Sequence, residues 1–452
     1  MNSFMIAFGL ASICLVIGTL FRAKIGFLRN MLVPASVIGG IIGLIFMNVV
    51  IVAKVNIGTD TNMFTETVNQ LFTVSFISIA LTGAGSRQDS TGKNIFKGSV
   101  GMGLVWCFLY ALTPLIGLLL IGVIGKGFGM DTVYGSLIPF AFAQGPGQAA
   151  AFGGMYESYG WTNASMVGIA FAAIGFLVAF LVGIPAAKLG IKKGLAKNCG
   201  EIDSHILKGY FKKDEQPNHS VTDTTYSGNI ESMAFHFAVI GLCYIGAIGI
   251  SKAFALLPSF IGSSMSGLLF FNGMLAAYIV KAIMKKLKID FMLDDGLLNK
   301  VTGLTSDYLV VCAFMSISFS VIGNWIIPII IEAAIMTVVT VVFCFYFGAR
   351  IGGSNDFERT LGLYGVCTGT VPSGIALTRI VDPEFKTTTS VELGLMNVVM
   401  MLTTPIYIIL LGMASGSIKV GVTMAILAGL AVVYVILLKV TKTWGKKTYS
   451  WK

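Results

Sequence analysis

Two apolar stretches of the chain are interrupted by Gly and Pro in a pattern that could bind small charged ligands. Residues 142–152 read Phe-Ala-Gln-Gly-Pro-Gly-Gln-Ala-Ala-Ala-Phe, and residues 365–377 read Gly-Val-Cys-Thr-Gly-Thr-Val-Pro-Ser-Gly-Ile-Ala-Leu. Pro removes an N–H donor and Gly weakens a helix, so we expect both stretches to unwind near these cores. The half-helices that start near Gln148 and Ser373 would then offer free N–H groups to a carboxylate. Freed carbonyls and nearby hydroxyls suit Na⁺, a hard cation.

The candidate binding residues come mainly from these two cores. An alternative is that Gly and Pro only kink two packed helices, but matching positions in two halves of the chain favour binding. Arg379 could clamp a substrate carboxylate, or it could pair with Asp382 at the surface. We predict that the substrate is bound by Gly145, Pro146, Gly147, Gln148, Gly369, Thr370, Pro372, Ser373, Gly374 and Arg379.

Polar residues elsewhere in apolar segments are candidates for the ion site. Asp307 could bind Na⁺ or couple protons, or it could be an interfacial carboxylate near Lys300. Glu332 and Glu392 are intramembrane acids, which are functional candidates in general, although each could instead pair with another helix. Small polar side chains can also serve packing alone. We predict that Na⁺, and no other metal, is bound by Ser78, Asn163, Asp307, Ser316 and Thr368.

The composition indicates a membrane protein. Of 452 residues, 55% are hydrophobic and only 12% are charged, about half the charged share of a soluble domain. This excludes an ordinary soluble enzyme and a disordered chain. The seven Cys fall singly, and we find no catalytic motif and no Walker loop. We therefore expect no enzyme activity, no cofactor and no pumping driven by ATP.

Apolar runs predict eleven helical crossings, and Lys and Arg predict their orientation. If the N-terminus is outside and the two broken stretches do not cross, all but Lys54, Lys126, Lys252 and Lys419 of the 31 basic residues face the cytoplasm. The net charge of +10 is then largely topological, so we expect no nucleic-acid partner. The predicted crossings are 4–21, 31–53, 70–85, 99–124, 162–187, 234–252, 256–280, 301–322, 325–348, 388–412 and 418–438.

The crossings form two halves of opposite orientation. Each half has four crossings, a broken stretch and a fifth crossing, and an odd number inverts the second half. We therefore predict an all-α polytopic protein of two inverted five-helix repeats, each with a re-entrant hairpin, followed by an eleventh helix. Inverted repeats with broken helices are typical of secondary transporters. The predicted parts are repeat 1–188 with hairpin 133–154, a cytoplasmic linker at 189–232, repeat 233–413 with hairpin 360–378, and 414–452 with the last helix and a basic cytoplasmic tail.

The sequence resembles the sodium/glutamate symporter family. Its residues 145–150 and 159–164 are similar to that family's first re-entrant loop and next helix. The second loop is matched by Gly365, Cys367, Gly369, Pro372 and Ile375–Ala376. Pro146, Gln148, Arg379 and the eleventh helix depart from the family pattern. The resemblance implies Na⁺-coupled uptake of an acidic amino acid by a homodimer in a prokaryotic plasma membrane.

The expected function is therefore secondary transport by alternating access, with an anionic substrate and Na⁺ bound between the hairpin tips. One alternative is a carrier of the same fold for another organic acid or amino acid. Another is a channel or sensor that uses the same cavity. The longest polar stretch, 189–232, is too short for a folded output domain, which disfavours the sensor.

Overall fold

The computed structural model describes residues 2–30, 33–82, 92–196, 223–257, 265–266, 268–382 and 386–451, and these residues form helices and no β-strand. The fold class predicted from composition is thus confirmed as all-helical. In chain order the helices are α1 Ser3–Lys24, α2 Gly26–Asn30, α3 Ala35–Val52, α4 Thr61–Leu81, α5 Gly92–Ile124, α6 Ile138–Phe142, α7 Pro146–Ser158, α8 Ala164–Lys192, α9 Ser232–Phe254, α10 Leu269–Lys286, α11 Asp295–Met315, α12 Phe319–Ile322, α13 Ile326–Gly348, α14 Asp356–Thr368, α15 Val371–Val381, α16 Thr389–Met400, α17 Thr404–Ala414 and α18 Val420–Val440.

Eight helical segments of the described chain are long and apolar enough to cross a membrane. They match eight of the eleven predicted crossings. The other three predictions fall on α4, α10 and α11, which have 21, 18 and 21 residues but carry more polar side chains. Helix α4 begins at Thr61, well before the predicted residue 70, because the Asp60 carboxylate caps it by accepting the N–H of Met63. Residues 197–222, most of the predicted linker, lie outside the described residues.

The chain divides into two compact units, and each unit draws segments from both predicted repeats. Unit 1 comprises Met1–Ile17, Gly39–Ser86 and Phe211–Ser316. Unit 2 comprises Gly18–Ile38, Arg87–Tyr210 and Ile317–Lys452. Both broken stretches therefore belong to unit 2.

The core of unit 1 lies where α4, α9, α10 and α11 meet. Ile77, Val239, Ala277 and Leu298 are among its buried apolar residues. Lys281 of α10 donates hydrogen bonds to the carbonyls of Leu81 and Thr82 at 2.9 and 2.8 Å, which satisfies the C-terminal end of α4. Unit 1 is thus held by apolar packing and by a capped helix end.

Glycines of α8 let other segments of unit 2 approach its backbone. A Cβ at Gly168 would lie 3.0 Å from the Ala149 carbonyl oxygen, and a Cβ at Gly175 would lie 2.7 Å from that of Thr368. At Gly183 and Gly190 the Cβ would collide with the side chains of Leu377 and Phe357. Helix α8 therefore packs against α7, α14 and α15 through these four positions, and small residues permit such close approach.

A buried ion network joins the beginning of α14 to α16. The Arg359 guanidinium donates to both Glu392 oxygens at 2.6 Å and to Asp356 Oδ1 at 3.0 Å. Arg359 and Glu392 are 2% and 0% exposed, so the pair is shielded from water. The Thr388 hydroxyl donates to Glu392 as well. The sequence analysis counts Arg359 among the cytoplasmic loop residues. It does not reveal the ion pair, because Glu392 lies 33 residues further along the chain.

The residues after α18 pack against the beginning of α14. The Thr448 hydroxyl donates to Asp356 Oδ2 at 2.8 Å, and the Tyr449 hydroxyl donates to Thr360 Oγ1 at 2.9 Å. Burial raises the pKa of Tyr449 above its ordinary value, so the phenol stays neutral and keeps its proton for this bond. The predicted basic tail is therefore an ordered part of unit 2 up to Trp451.

We predict that the single substitution Glu392→Gln strongly destabilises unit 2. It leaves the buried Arg359 charge without its bidentate carboxylate, which costs about 3–5 kcal/mol. The Arg359→Met/Glu392→Leu double variant should lose less stability than the sum of its single variants, because it removes both charges. Thermal unfolding of the detergent-solubilised protein measures this, with the exposed Glu66→Gln as control. A Glu392→Gln protein that melts with the wild type would contradict the prediction.

Candidate functional site

The first broken stretch consists of two short helices separated by a tight turn. A 3₁₀ segment at Thr132–Leu137 leads into α6, the chain turns at Ala143–Gly145, and α7 begins at Pro146. Gly145 has φ +81°, a left-handed value that favours Gly. Pro146 occupies the first turn of α7, where its missing N–H costs nothing. The predicted break is confirmed, and the half-helix starts two residues earlier than the predicted Gln148 for this reason.

The second broken stretch has the same construction. Helix α14 ends at Thr368, Gly369 is neither helical nor extended, Thr370 is extended, and α15 begins at Val371 with Pro372 in its first turn. Here too the half-helix starts two residues before the predicted position, Ser373. Gly365 and Gly374 pack backbone to backbone, since a Cβ at Gly365 would lie 2.7 Å from the Cα of Gly374.

The two breaks meet inside unit 2. A Cβ at Gly145 would lie 2.5 Å from Cγ2 of Thr370 and 3.5 Å from the Gly369 carbonyl oxygen. On the neighbouring helix, a Cβ at Gly175 would touch both Phe142 and the Thr368 carbonyl. The structure thus brings together the tips that the sequence predicts to cooperate.

Both half-helices start without a side-chain cap. Neither Gly145 nor Thr370 accepts an N–H of the helix that follows through its side chain. The first N–H groups of a helix have no acceptor within the helix and carry part of the positive end of its dipole. Two helix N-termini without a side-chain cap therefore lie near one contact point, and the exposed Pro372 marks the more accessible one.

Gln148 adds a polar side chain to the first half-helix. It is fully buried, its Oε1 accepts the Tyr110 hydroxyl at 3.0 Å, and its Nε2 has no partner among the described residues. The adjacent Gln144 donates through Nε2 to the Tyr407 hydroxyl at 2.8 Å. An unpartnered buried amide is costly unless a ligand satisfies it, so Gln148 is the strongest single candidate for a ligand contact.

The other predicted substrate residues differ in position. Ser373 is buried, and its Oγ lies 2.7 Å from where a Cβ at Gly369 would stand. The Thr368 hydroxyl is used locally, donating to the Tyr364 carbonyl at 2.7 Å. Arg379 is exposed at the end of α15, about 12 Å along the helix from Val371. The Asp382 carboxylate accepts the N–H groups of Lys386 and Thr387.

Four of the predicted ion-binding residues belong to segments other than the two broken stretches. Asn163 is exposed at the start of α8 with φ +61°, a left-handed conformation that Asn tolerates. Ser78, Ser316 and Asp307 belong to unit 1. The first two are buried and donate to the carbonyls of Leu298 and Ala313, both at 2.8 Å, while Asp307 is exposed on α11. Their role in binding Na⁺ stays a prediction.

An aromatic cluster beside the first break was missed by sequence reasoning. Trp106 stacks on Tyr110 at 4.7 Å and donates to the Ala143 carbonyl at 3.2 Å. Phe140 stacks on Phe152 at 3.9 Å, and Tyr407 lies 5.5 Å from Tyr110. A sequence signal existed, since Tyr and Trp inside apolar helices need polar partners when they are buried.

We predict that Gly145→Ala destabilises the contact between the breaks. The substitution puts a Cβ on a backbone with φ +81° and ψ −174°, a nearly Gly-only conformation that costs about 1–3 kcal/mol, and it adds a collision with Thr370. Gly160→Ala is the matched control, because Gly160 has φ +98° but open space around its Cβ. Melting temperatures should fall more for Gly145→Ala, and Thr370→Ser should restore part of the loss. Equal melting temperatures of the two Ala variants would refute the contact.

Comparison with known proteins places this architecture in a family. Residues 3–387 match the family described as sodium/glutamate symporter. The sodium/glutamate symporter of Escherichia coli strain K12 is 22% identical over 384 residues, covering 83% of this chain and 88% of the relative. That of Haemophilus influenzae is 23% identical over 389 residues, with the same coverage. The family match ends before α18 and the tail. The chain belongs to the sodium/glutamate symporter family and is a multi-pass membrane protein of the Na⁺-coupled transporter class.

Proposed function

We propose that this protein imports an acidic amino acid together with Na⁺ by alternating access, and that a substrate carboxylate binds at the N-termini of α7 and α15. The observation that carries this proposal is the meeting of two uncapped helix starts at Gly145 and Thr370. Helix N-termini bind carboxylates through N–H groups and the helix dipole. The relatives are sodium/glutamate symporters by name, which supports Na⁺ and glutamate as the partners of this chain.

The broken stretches act as re-entrant hairpins of two inverted repeats in this proposal. Because Gly145 touches Thr370 in the structure, a ligand reaches the buried α7 N–H groups only when the tips separate. Separation of the tips would open the site in turn to each side of the membrane. We further propose that the protein is a homodimer in the plasma membrane, with the N-terminus outside and the C-terminus cytoplasmic.

Cation coupling follows from the charge of the substrate. Moving one net negative charge into a cell at 100 mV, negative inside, costs about 2.3 kcal/mol. One Na⁺ cancels that cost and further Na⁺ drives accumulation. Carbonyls at the breaks and the hydroxyls of Thr370 and Ser373 supply oxygen ligands of the kind that a hard cation prefers.

Uptake of labelled glutamate into proteoliposomes tests coupling and substrate together. We expect uptake to need an inward Na⁺ gradient and to stop when choline replaces Na⁺. Unlabelled aspartate and glutamate should compete, whereas glutamine, malate and citrate should not. Uptake unchanged in choline would remove the coupling, and competition only by dicarboxylates without an amino group would identify a carrier for other organic acids.

The role of Gln148 is tested by substitution. Gln148→Ala should raise the KM for glutamate by about tenfold or more, because a hydrogen bond to a charged group is lost. Gln148→Glu should abolish uptake, since its carboxylate would compete with the substrate for the same N–H groups. The matched control is Gln70→Ala, an exposed Gln of unit 1. An unchanged KM in Gln148→Ala would exclude contact between this side chain and the substrate.

A further inference from the structure

Glu332 of α13 is a buried acid that the substrate site does not use. It lies in the apolar segment Gly323–Gly348 and is 0% exposed. Neither carboxyl oxygen has a hydrogen-bond partner among the described residues. The contrast with Glu392, which is equally buried but bonds to Arg359 and Thr388, shows that burial alone does not leave an acid unpaired.

Two other backbones of unit 2 cross beside this carboxyl group. A Cβ at Gly117 of α5 would lie 2.0 Å from the Gly135 carbonyl oxygen and 2.5 Å from Glu332 Oε1. Thr113, one turn before Gly117 on α5, has a buried hydroxyl that also lacks a partner among the described residues. The Gly135 carbonyl oxygen and Glu332 Oε1 therefore flank the same point on α5.

Titratable side chains on the elements that pack around Glu332 either form hydrogen bonds with other residues or lie at the ends of their helices. Tyr110 donates to Gln148, Tyr134 donates to the Thr162 carbonyl, and Tyr364 donates to the Val178 carbonyl. No titratable side chain among the described residues of these elements forms a hydrogen bond with Glu332. The elements are α5, the 3₁₀ segment Thr132–Leu137 with its cap, α8, α13 and α14. Their titratable residues are Lys97, Cys107, Tyr110, Asp131, Tyr134, Lys188, Lys192, Cys344, Tyr346, Asp356, Glu358, Arg359, Tyr364 and Cys367.

An ionised carboxylate in such surroundings would be very costly, because burial of a charge requires a partner or several hydrogen bonds. A neutral carboxyl group avoids this cost. The close packing at Gly117 leaves no room for a hydrated or fully coordinated metal cation, whereas a proton needs no space of its own. The geometry thus selects a proton as the occupant.

The α13 segment that carries Glu332 begins at a surface cavity. A surface cavity of about 430 Å³ is lined by Gly127, Phe128, Gly323, Asn324 and Ile327, between the ends of α5 and α13. Ile327 precedes Glu332 by five residues, about 7.5 Å along the helix. Gly127 and Phe128 follow the end of α5, and Gly323 and Asn324 precede the beginning of α13, so the cavity lies at the ends of the two helices that contact each other at Gly117 and Glu332.

We propose that Glu332 is a proton-binding site that exchanges its proton with this cavity during the transport cycle, so that H⁺ is a second coupling ion beside Na⁺. The inference rests on the proposed transport function. The proton leaves when the packing around Gly117 opens toward the cavity, and a proton returns before the carboxyl group is enclosed again.

Carbodiimide labelling tests the protonated state without transport. Dicyclohexylcarbodiimide reacts with protonated carboxyl groups in apolar surroundings, and peptide mass spectrometry of the intact purified protein locates the product. We expect modification of Glu332 that is faster at low pH, and no modification of Glu392, which is ion-paired. Modification of Glu392 but not of Glu332 would overturn the assignment, whether or not the protein carries glutamate.

Proton flux tests the coupling. Proteoliposomes with a lumenal pH dye should show a pH change driven by Na⁺ and glutamate, and Glu332→Gln should lower this signal about tenfold while labelled glutamate still enters. Glu332→Asp keeps a carboxyl group, so it should retain flux with a shifted pH profile, and exposed Glu66→Gln is the control. Wild-type proton flux in Glu332→Gln would overturn the inference. Absence of glutamate uptake in the wild type would instead count against the proposed function.

Discussion

The unwound backbone at Ala143–Gly145 and Gly369–Thr370 is the constraint on which the rest of unit 2 depends. A polar backbone without helical hydrogen bonds is costly in an apolar environment unless protein surrounds it. The structure meets this requirement by placing the two breaks against each other and against Gly175 of α8. Trp106 satisfies the Ala143 carbonyl, and Tyr407 accepts from Gln144. Among the described residues, the amide nitrogen of Gln148 has no hydrogen-bond partner and the two helix starts have no side-chain cap, and these are the groups a ligand can use.

Three of the buried acids of unit 2, Asp356, Glu392 and Glu332, have different surroundings. Asp356 and Glu392 surround Arg359, and this network ties α14 to α16. Glu332 has no cation and no donor among the described residues. A paired buried acid holds its charge and fixes a geometry, whereas an unpaired one can change its protonation state. The same residue type therefore stabilises one end of a hairpin and supplies a titratable group elsewhere.

Local chemistry could be predicted from the sequence, whereas partners distant in the chain could not. The breaks at Gly145–Pro146 and Gly369–Thr370 followed from the effects of Gly and Pro on helices, and the apolar runs predicted most crossings. Each half-helix begins two residues before the predicted position, because Pro is favoured in the first turn of a helix. The sequence predicts a loop position for Arg359, since no neighbouring residue in the chain indicates that Glu392 packs against it in the fold. Tyr110 and Tyr407 were missed for the same reason, and the division into two units crosses both predicted repeats.

The glycines of α8 have a mechanical consequence. Gly168, Gly175, Gly183 and Gly190 present bare backbone where α7, α14 and α15 lie against it. Ridges of side chains normally lock two helices in one register. At Gly183 and Gly190 the side chains of Leu377 and Phe357 instead fill the space where a Cβ would stand. The missing side chains of α8 are thus notches that set where the second hairpin sits along the axis of this helix.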